Sequence, residues 1–361
     1  MENLINYVKG TQNITYKEMA FNEIDAAVYS ALIYLDFSYL NNKQTTISDA
    51  YSKYTDRFFL KVKDKFKENN KKLLKEMANS KRYQNNIIIN YQKIVNKETQ
   101  FGAYTIKVPH QFKIIVFEGT DDSLIGWEEN FKMAYTYPIK AQELAILYLN
   151  KNINLNDYLV FVAGHSKGGN LAIAASMMQN ILKRAQIKYI FNFDGPGFDF
   201  SLIDENKYNK IVKKIRSYYP QESVVGMIFK NLGKKKIVLS DSHKINQHDL
   251  HTWKLENNKF KTSNLSDYSK NFKRKINKII TNFTKEEKEK FVTSLFKVLY
   301  TSGYVYKSDL DKLSITKINK VIKETINLKE DEKKIIIDIF KILLDHNNEG
   351  KTEKTEINLA K

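Results

Sequence analysis

The stretch that most restricts the fold runs from an apolar strand, Leu159-Val160-Phe161-Val162-Ala163, through Gly164-His165-Ser166-Lys167-Gly168-Gly169 into the small-residue run Asn170-Leu171-Ala172-Ile173-Ala174-Ala175. Five consecutive apolar residues read as a strand buried on both faces, and the run that follows reads as a helix. Glycines at 164, 168 and 169 permit a turn so cramped that the helix can lie against the strand it leaves. Ser166 at the apex is then held in a strained conformation, its hydroxyl raised above the sheet edge. Gly-rich turns of this shape also cradle phosphates. A central serine in Gly-x-Ser-x-Gly instead makes Ser166 a candidate nucleophile, with the backbone N–H of Lys167 as an oxyanion donor. His165 points elsewhere in such a turn and is expected to pack or make an orienting hydrogen bond. The Lys167 side chain reads as solvated surface.

Patterning elsewhere gives that turn a setting. From Tyr16 to Lys75 apolar residues, among them Ala27, Leu32, Leu35, Phe58, Phe59, Val62 and Phe66, recur at three- and four-residue steps, which predicts a helical layer. Ile87 to Ile89, Ala103 to Val108 and Phe112 to Phe117 read as consecutive strands. A helix from Ala141 to Leu149, a strand from Tyr158 to Ala163, a helix from Gly168 to Lys183 and a strand from Lys188 to Phe193 then alternate. Two more strands are expected at Lys214–Tyr219 and Lys236–Ser240. Alternation of this kind predicts a largely parallel sheet flanked by helices. From about Asn271 the chain is lysine-rich and helical, with a capping box at Thr284-Lys285-Glu286-Glu287. The apolar face of Ile335, Ile336, Ile339, Phe340, Leu343 and Leu344 is expected to pack on the body of the protein, and residues after Asn347 to fray. The expected organisation is one domain over 1–265, including a helical segment over 1–80, and a helical extension over 266–361.

A second oxyanion donor is expected from the loop after an earlier central strand. Ile115-Val116-Phe117-Glu118-Gly119-Thr120-Asp121-Asp122 supplies it, with Thr120 as the candidate through its backbone N–H and its hydroxyl. Two family resemblances attach to these residues. Phe117 to Trp127, with the serine turn, resembles class 3 (fungal-type) lipases, although Glu118 stands where an arginine commonly precedes the glycine. A closer resemblance, to the bacterial Mbeg-like α/β hydrolases, spans about Phe117 to Trp253. It includes Gly-His-Ser-Lys-Gly-Gly-Asn, Phe193-Asp194-Gly195-Pro196-Gly197-Phe198, Pro220-Gln221-Glu222-Ser223-Val224-Val225-Gly226 and Gln247-His248-Asp249. The implied fold is the α/β-hydrolase fold.

A serine nucleophile of this fold needs a histidine base on a late loop, and only His243, His248, His251 and His346 follow the turn. His248, in a polar turn after the last expected strand, is the best placed. Two carboxylates compete to orient it. Asp194 ends a strand in a turn that resembles the acid turn of pancreatic-type lipases. Glu222 follows the next strand, near the acid position of class 3 lipases, whose direct counterpart by alignment is the non-acidic Ser223. Both remain candidates.

Composition narrows the rest. No cysteine is present and the six histidines show no ligand spacing, so neither a thiol nucleophile nor a metal or other cofactor is expected. The N-terminus lacks a basic then apolar leader and no apolar run reaches the roughly 18 residues of a membrane span, so a cytoplasmic protein is expected. The net charge of +18 is spread through nearly every polar segment. That spread reads as a solvated surface open to peripheral contact with an anionic membrane, not as a nucleic-acid site, which would cluster its cations with aromatics. The leading expectation is hydrolysis of a small-molecule or lipid acyl ester. The alternative is a weak or inactive hydrolase-fold interaction protein using its basic surface or C-terminal helices. Segments Trp127 to Tyr137 and Val224 to Leu232 are expected to form a rim or lid, or to pack.

Overall fold

A computed structural model describes residues 2–345 apart from 42, 56–64, 155, 158 and 307–314. Phe58, Phe59, Val62, Tyr158, His346 and the tail after Asn347 lie outside the described residues.

The N-terminal layer holds helices α1 (Leu4–Gly10), α2 (Glu23–Leu32), α3 (Ile47–Thr55) and α4 (Lys65–Ala78), with the two-residue strand β1 (Thr45–Thr46) before α3. There follow β2 (Ile87–Val95), β3 (Gln100–Val108), β4 (Phe112–Phe117), α5 (Leu124–Lys132), α6 (Lys140–Asn152), β5 (Val160–His165), α7 (Lys167–Met177), α8 (Ile181–Gln186), β6 (Ile187–Phe193), α9 (Glu205–Asn209), β7 (Ile215–Pro220) and β8 (Lys234–Val238). Helices α10 (Asp267–Asn282), α11 (Lys285–Thr301), α12 (Ile315–Ile326) and α13 (Glu330–Leu344) close the chain. The eight strands form one sheet in sequence order. Pairing is antiparallel from β1 to β4 and parallel from β4 to β8.

Side-chain alternation sorts each central strand between two cores. Ile114 and Val116 of β4, Phe161 and Ala163 of β5, and Phe191 and Phe193 of β6 face a core built with the N-terminal layer. Ile115 and Phe117, Val160 and Val162, and Ile190 face the other, which α6 and α7 supply through Ala141, Ala145, Leu149 and Leu171 to Ala175. Every residue of β5 is buried because both faces are covered. This is the α/β-hydrolase fold, with its tight serine turn at the carboxyl end of a central parallel strand.

A buried ion pair fixes the N-terminal layer. Arg82 Nε and Nη2 donate to the two carboxylate oxygens of Asp25 at 2.8 and 2.6 Å, and Tyr83 Oη donates to Oδ1 at 2.5 Å. Asp25 also closes the capping box that starts α2. Such a pair is held less by net attraction than by the cost of breaking it, since either ion alone would be a buried charge without compensation.

One local expectation is revised. The single helix expected over 168–183 is two, because the Asn180 side chain accepts from Lys183 N and starts α8 afresh. The helical periodicity read from Tyr16 onward begins earlier, with α1 on an Asn3 cap, inside the 1–80 segment expected to be helical. The box at Thr284 does cap α11. Of the apolar residues on α13, Ile335 and Ile339 are buried in a third cluster with Leu124, Tyr135, Phe291 and Phe296, while Phe340 and Leu344 are exposed. Helix α5 therefore lies between the sheet and the C-terminal helices. Leu124 N donates to Val305 O at 2.9 Å, and Phe131 meets Phe296 edge to face. No described helix is long and apolar enough to cross a membrane.

Candidate active site

The glycines behave as the tight turn requires. A Cβ added to Gly164 would come within 2.1 Å of Gly168 O, and one added to Gly168 within 2.1 Å of Phe117 O. Strand β5, the first turn of α7 and the end of β4 thus meet at backbone distance, which only glycine allows. Ser166 has φ 57° and ψ −132°, a sparsely populated conformation for a residue with a side chain, costing on the order of 1–3 kcal/mol. Its amide donates to Phe193 O at 2.9 Å and its carbonyl accepts from Gly169 N at 2.9 Å, so the strain is fixed from both sides. The residue is 8% exposed.

The Gly119–Thr120 turn lies against this serine. A Cβ on Gly119 would approach Ser166 Cβ to 3.0 Å and His165 O to 2.7 Å. Thr120 Oγ1 accepts from Asn130 Nδ2 at 2.6 Å, which leaves the hydroxyl hydrogen free to turn toward another acceptor. Asp121 accepts from Ser123, whose side chain caps α5. The backbone N–H of Lys167 belongs to the first turn of α7, where no helical carbonyl precedes it and the helix dipole favours negative charge.

The Lys167 side chain corrects the sequence reading. It is buried, not solvated: Nζ donates to Gln100 O at 2.6 Å and to Glu129 Oε2 at 3.1 Å. Burial lowers its pKa while Glu129 pulls the other way. Glu129, on α5, also accepts from Thr99 Oγ1 at 2.6 Å and Ala141 N at 2.8 Å, so its charge is fully met. Beside it, Glu118 is buried and takes Lys93 Nζ on both oxygens at 2.5 and 2.6 Å. Burial raises the Glu118 pKa against that pairing.

On the far side, His248 Nδ1 lies 2.6 Å from Asp194 Oδ2. Asp194 is buried at the end of β6 with φ 49°, its other oxygen accepting from Ser223 Oγ at 2.5 Å and Gly226 N at 3.1 Å. Glu222, the other candidate acid, is engaged elsewhere. Its Oε2 accepts from Lys244 N at 2.6 Å and Gln247 Nε2 at 3.0 Å, bracing the short helical turn Lys244–His248 that carries the histidine. Ser223, the counterpart by alignment, serves the aspartate.

His165 and His248 lie ring against ring, centroids 4.4 Å apart. His165 is buried, and burial together with the neighbouring His248 holds its pKa well below 6.5, so the ring is neutral. His165 Nε2 is 2.8 Å from the carbonyl of His248, which can only accept, so Nε2 carries the hydrogen. Nδ1 is then an acceptor for the Tyr34 hydroxyl at 2.9 Å. The residue before the serine thus latches the histidine loop to the turn, an orienting bond of the expected kind. His251 is buried elsewhere, its Nε2 donating to Asn70 Oδ1 at 2.7 Å, and His243 is exposed.

The expected rim segments are largely filled by packing. Met133, Tyr135, Met227 and Phe229 are buried, and Trp127 packs on the cluster under the C-terminal helices. Sequence reasoning missed Tyr34, Gln100 and Glu129, polar residues whose partners lie far along the chain, and Asn130, which meets Thr120 ten residues earlier.

Residues 77–297, more than half of the chain, match the family described as Mbeg1-like. No curated protein matches. Among solved structures, a crystal structure of M37 lipase is similar at 14% identity and a TM-score of 0.37, over 58% of this chain and 70% of that one.

Proposed function

The chain belongs to the Mbeg1-like family, and from that membership and the geometry of the serine turn we propose that it is a serine hydrolase cleaving an acyl ester. The observation that carries the proposal is the joint one: a strained Ser166 on a tight turn, a Gly119–Thr120 loop against it, and a His248–Asp194 pair at 2.6 Å whose imidazole lies against the ring of the adjoining His165.

In this reading Asp194 holds the hydrogen on His248 Nδ1, which leaves Nε2 bare as the base. Nε2 takes the Ser166 hydroxyl proton as Oγ bonds to the substrate carbonyl carbon. Negative charge on the former carbonyl oxygen is met by the N–H groups of Lys167 and Thr120 and by the Thr120 hydroxyl. The C–O bond to the leaving alcohol breaks as His248 returns the proton to it, leaving an acyl-serine. Water, deprotonated by the same nitrogen, attacks the acyl carbon and frees the acid and the serine. Asp194 keeps its hold on His248 Nδ1 throughout, its other oxygen fixed by Ser223 and Gly226.

The substrate belongs to the lipid or small-molecule acyl esters. The test is labelling of the purified protein with a fluorophosphonate, together with turnover of p-nitrophenyl esters of graded chain length. Wild type should label and turn over, and Ser166→Ala should do neither. Absence of both from wild type would refute the enzyme reading and favour a hydrolase-fold interaction protein.

A further inference from the structure

Gln100 opens β3 in full burial, and nothing in the proposed chemistry calls on it. Its Nε2 donates to Gly119 O at 3.2 Å and lies 3.5 Å from Glu118 Oε2. A carbonyl and a carboxylate oxygen pair only with the amide nitrogen, so that orientation is chemically fixed. Gly119 C=O and Thr120 N–H belong to one planar trans peptide, in which the two point in opposite directions. Holding the carbonyl from one side aims the Thr120 N–H to the other.

The main chain of Gln100 reaches the second donor. Gln100 O accepts Lys167 Nζ at 2.6 Å, and Gln100 N and Lys167 Nζ converge on Glu129 Oε2 at 3.3 and 3.1 Å. One residue therefore grips the peptide that presents Thr120 N–H and the side chain of the residue that presents Lys167 N–H. The grip has a cost, because Gln100 Oε1 is buried without a hydrogen-bond partner among the described residues. An orphaned acceptor of this kind costs about 1–3 kcal/mol, which an apolar side chain of the same length would avoid.

On the reading of Ser166 as nucleophile, we infer that Gln100 is a positioning residue that locks the two oxyanion donors into one unit. Gln100→Met keeps the length, removes the donor and removes the orphan. The expected result is a fall in kcat of about 30- to 100-fold, at or below the roughly 100-fold lower bound for losing an oxyanion donor outright, because the donor is misaimed and not removed, with KM changed less than about twofold. Fluorophosphonate labelling of Ser166 should slow in parallel, and the thermal midpoint should hold, since the orphaned Oε1 is removed as the buried Gly119 carbonyl loses its donor. A kcat within about threefold of wild type, or a kcat loss that tracks a lowered midpoint, would overturn the inference while leaving the hydrolase reading intact. Should Gln100→Met fail to fold, Gln100→Leu removes the same donor with a branched side chain, and wild-type turnover by that folded variant would overturn it. A wild type that neither labels nor turns over would overturn the hydrolase reading itself, and this inference with it.

Discussion

Exchanging Asp194 for asparagine separates the two carboxylates by mechanism. Asp194 offers Oδ1 to Ser223 and Gly226 and Oδ2 to His248. Asparagine fits the same volume but has one acceptor. The Gly226 N–H can only donate, so the amide oxygen stays on that side and the NH₂ group faces the imidazole. His248 Nδ1 must then accept, and the ring hydrogen moves to Nε2, the nitrogen that takes the serine proton in the proposed mechanism. Wrong-tautomer loss of this kind is about 10⁴-fold in kcat, or about 5 kcal/mol of transition-state stabilisation. Glu222→Gln keeps an oxygen for Lys244 N and Gln247 Nε2 and exchanges two charge-assisted bonds for neutral ones, an effect within roughly tenfold. Ester turnover at mildly alkaline pH, with Ser166→Ala as the blank and thermal melts to verify folding, measures both. An Asp194→Asn variant within tenfold of wild type, or one matched by Glu222→Gln, would refute the assignment.

Three further outcomes follow from the same structure. Asp25→Asn leaves Arg82 as a buried cation without its counter-ion and should cost about 3–5 kcal/mol in urea unfolding, while conserving the rate of serine labelling in the fraction that stays folded. Tyr34→Phe strips the donor from buried His165 Nδ1 and should cost about 1–3 kcal/mol; a change below about 0.5 kcal/mol would disprove that bond. Burial lowers the His251 pKa from 6.5 to about 4, so between those values the unfolded chain holds a proton that the folded one excludes. Stability should therefore fall as the pH drops through that window, by about 1.4 kcal/mol per unit for this group, and level off below it. His251→Gln should flatten the slope by about one proton in urea titrations across the window.

The features legible in the sequence are those whose partners lie nearby along the chain. The serine turn is one, because strand, glycines and small-residue helix are contiguous. The two-core partition of β4, β5 and β6 is another, since alternation is a local property of a strand. Which carboxylate meets His248 was not legible, because it depends on how the 244–248 turn leans across β6 and β7. Lys167 read as surface because lysines mostly are; the carboxylate that buries it lies 38 residues earlier, on a helix whose position no local pattern reveals. Gln100 had no signal at all, the last residue of the polar run Asn96-Lys97-Glu98-Thr99-Gln100. Helix α1 did leave one, an Asn3 cap followed by Leu4, Tyr7 and Val8 on one face, and so did Asn180 in the middle of the expected long helix.

The closing contacts of the N-terminal layer have a consequence for the chain as it is made. Glu2 pairs with Leu255, Glu23 with Lys236, and Asn70 with His251. At about 5–20 residues per second, a ribosome needs roughly ten to fifty seconds between delivering the first member of the Glu2–Leu255 contact and the second. Through that interval the apolar faces of α1 and α2 have no finished sheet to cover. The Gly119–Thr120 side waits longer, because the segment after Thr120 is pinned by Val305. A nascent chain thus carries its serine turn well before the surroundings of that turn are complete.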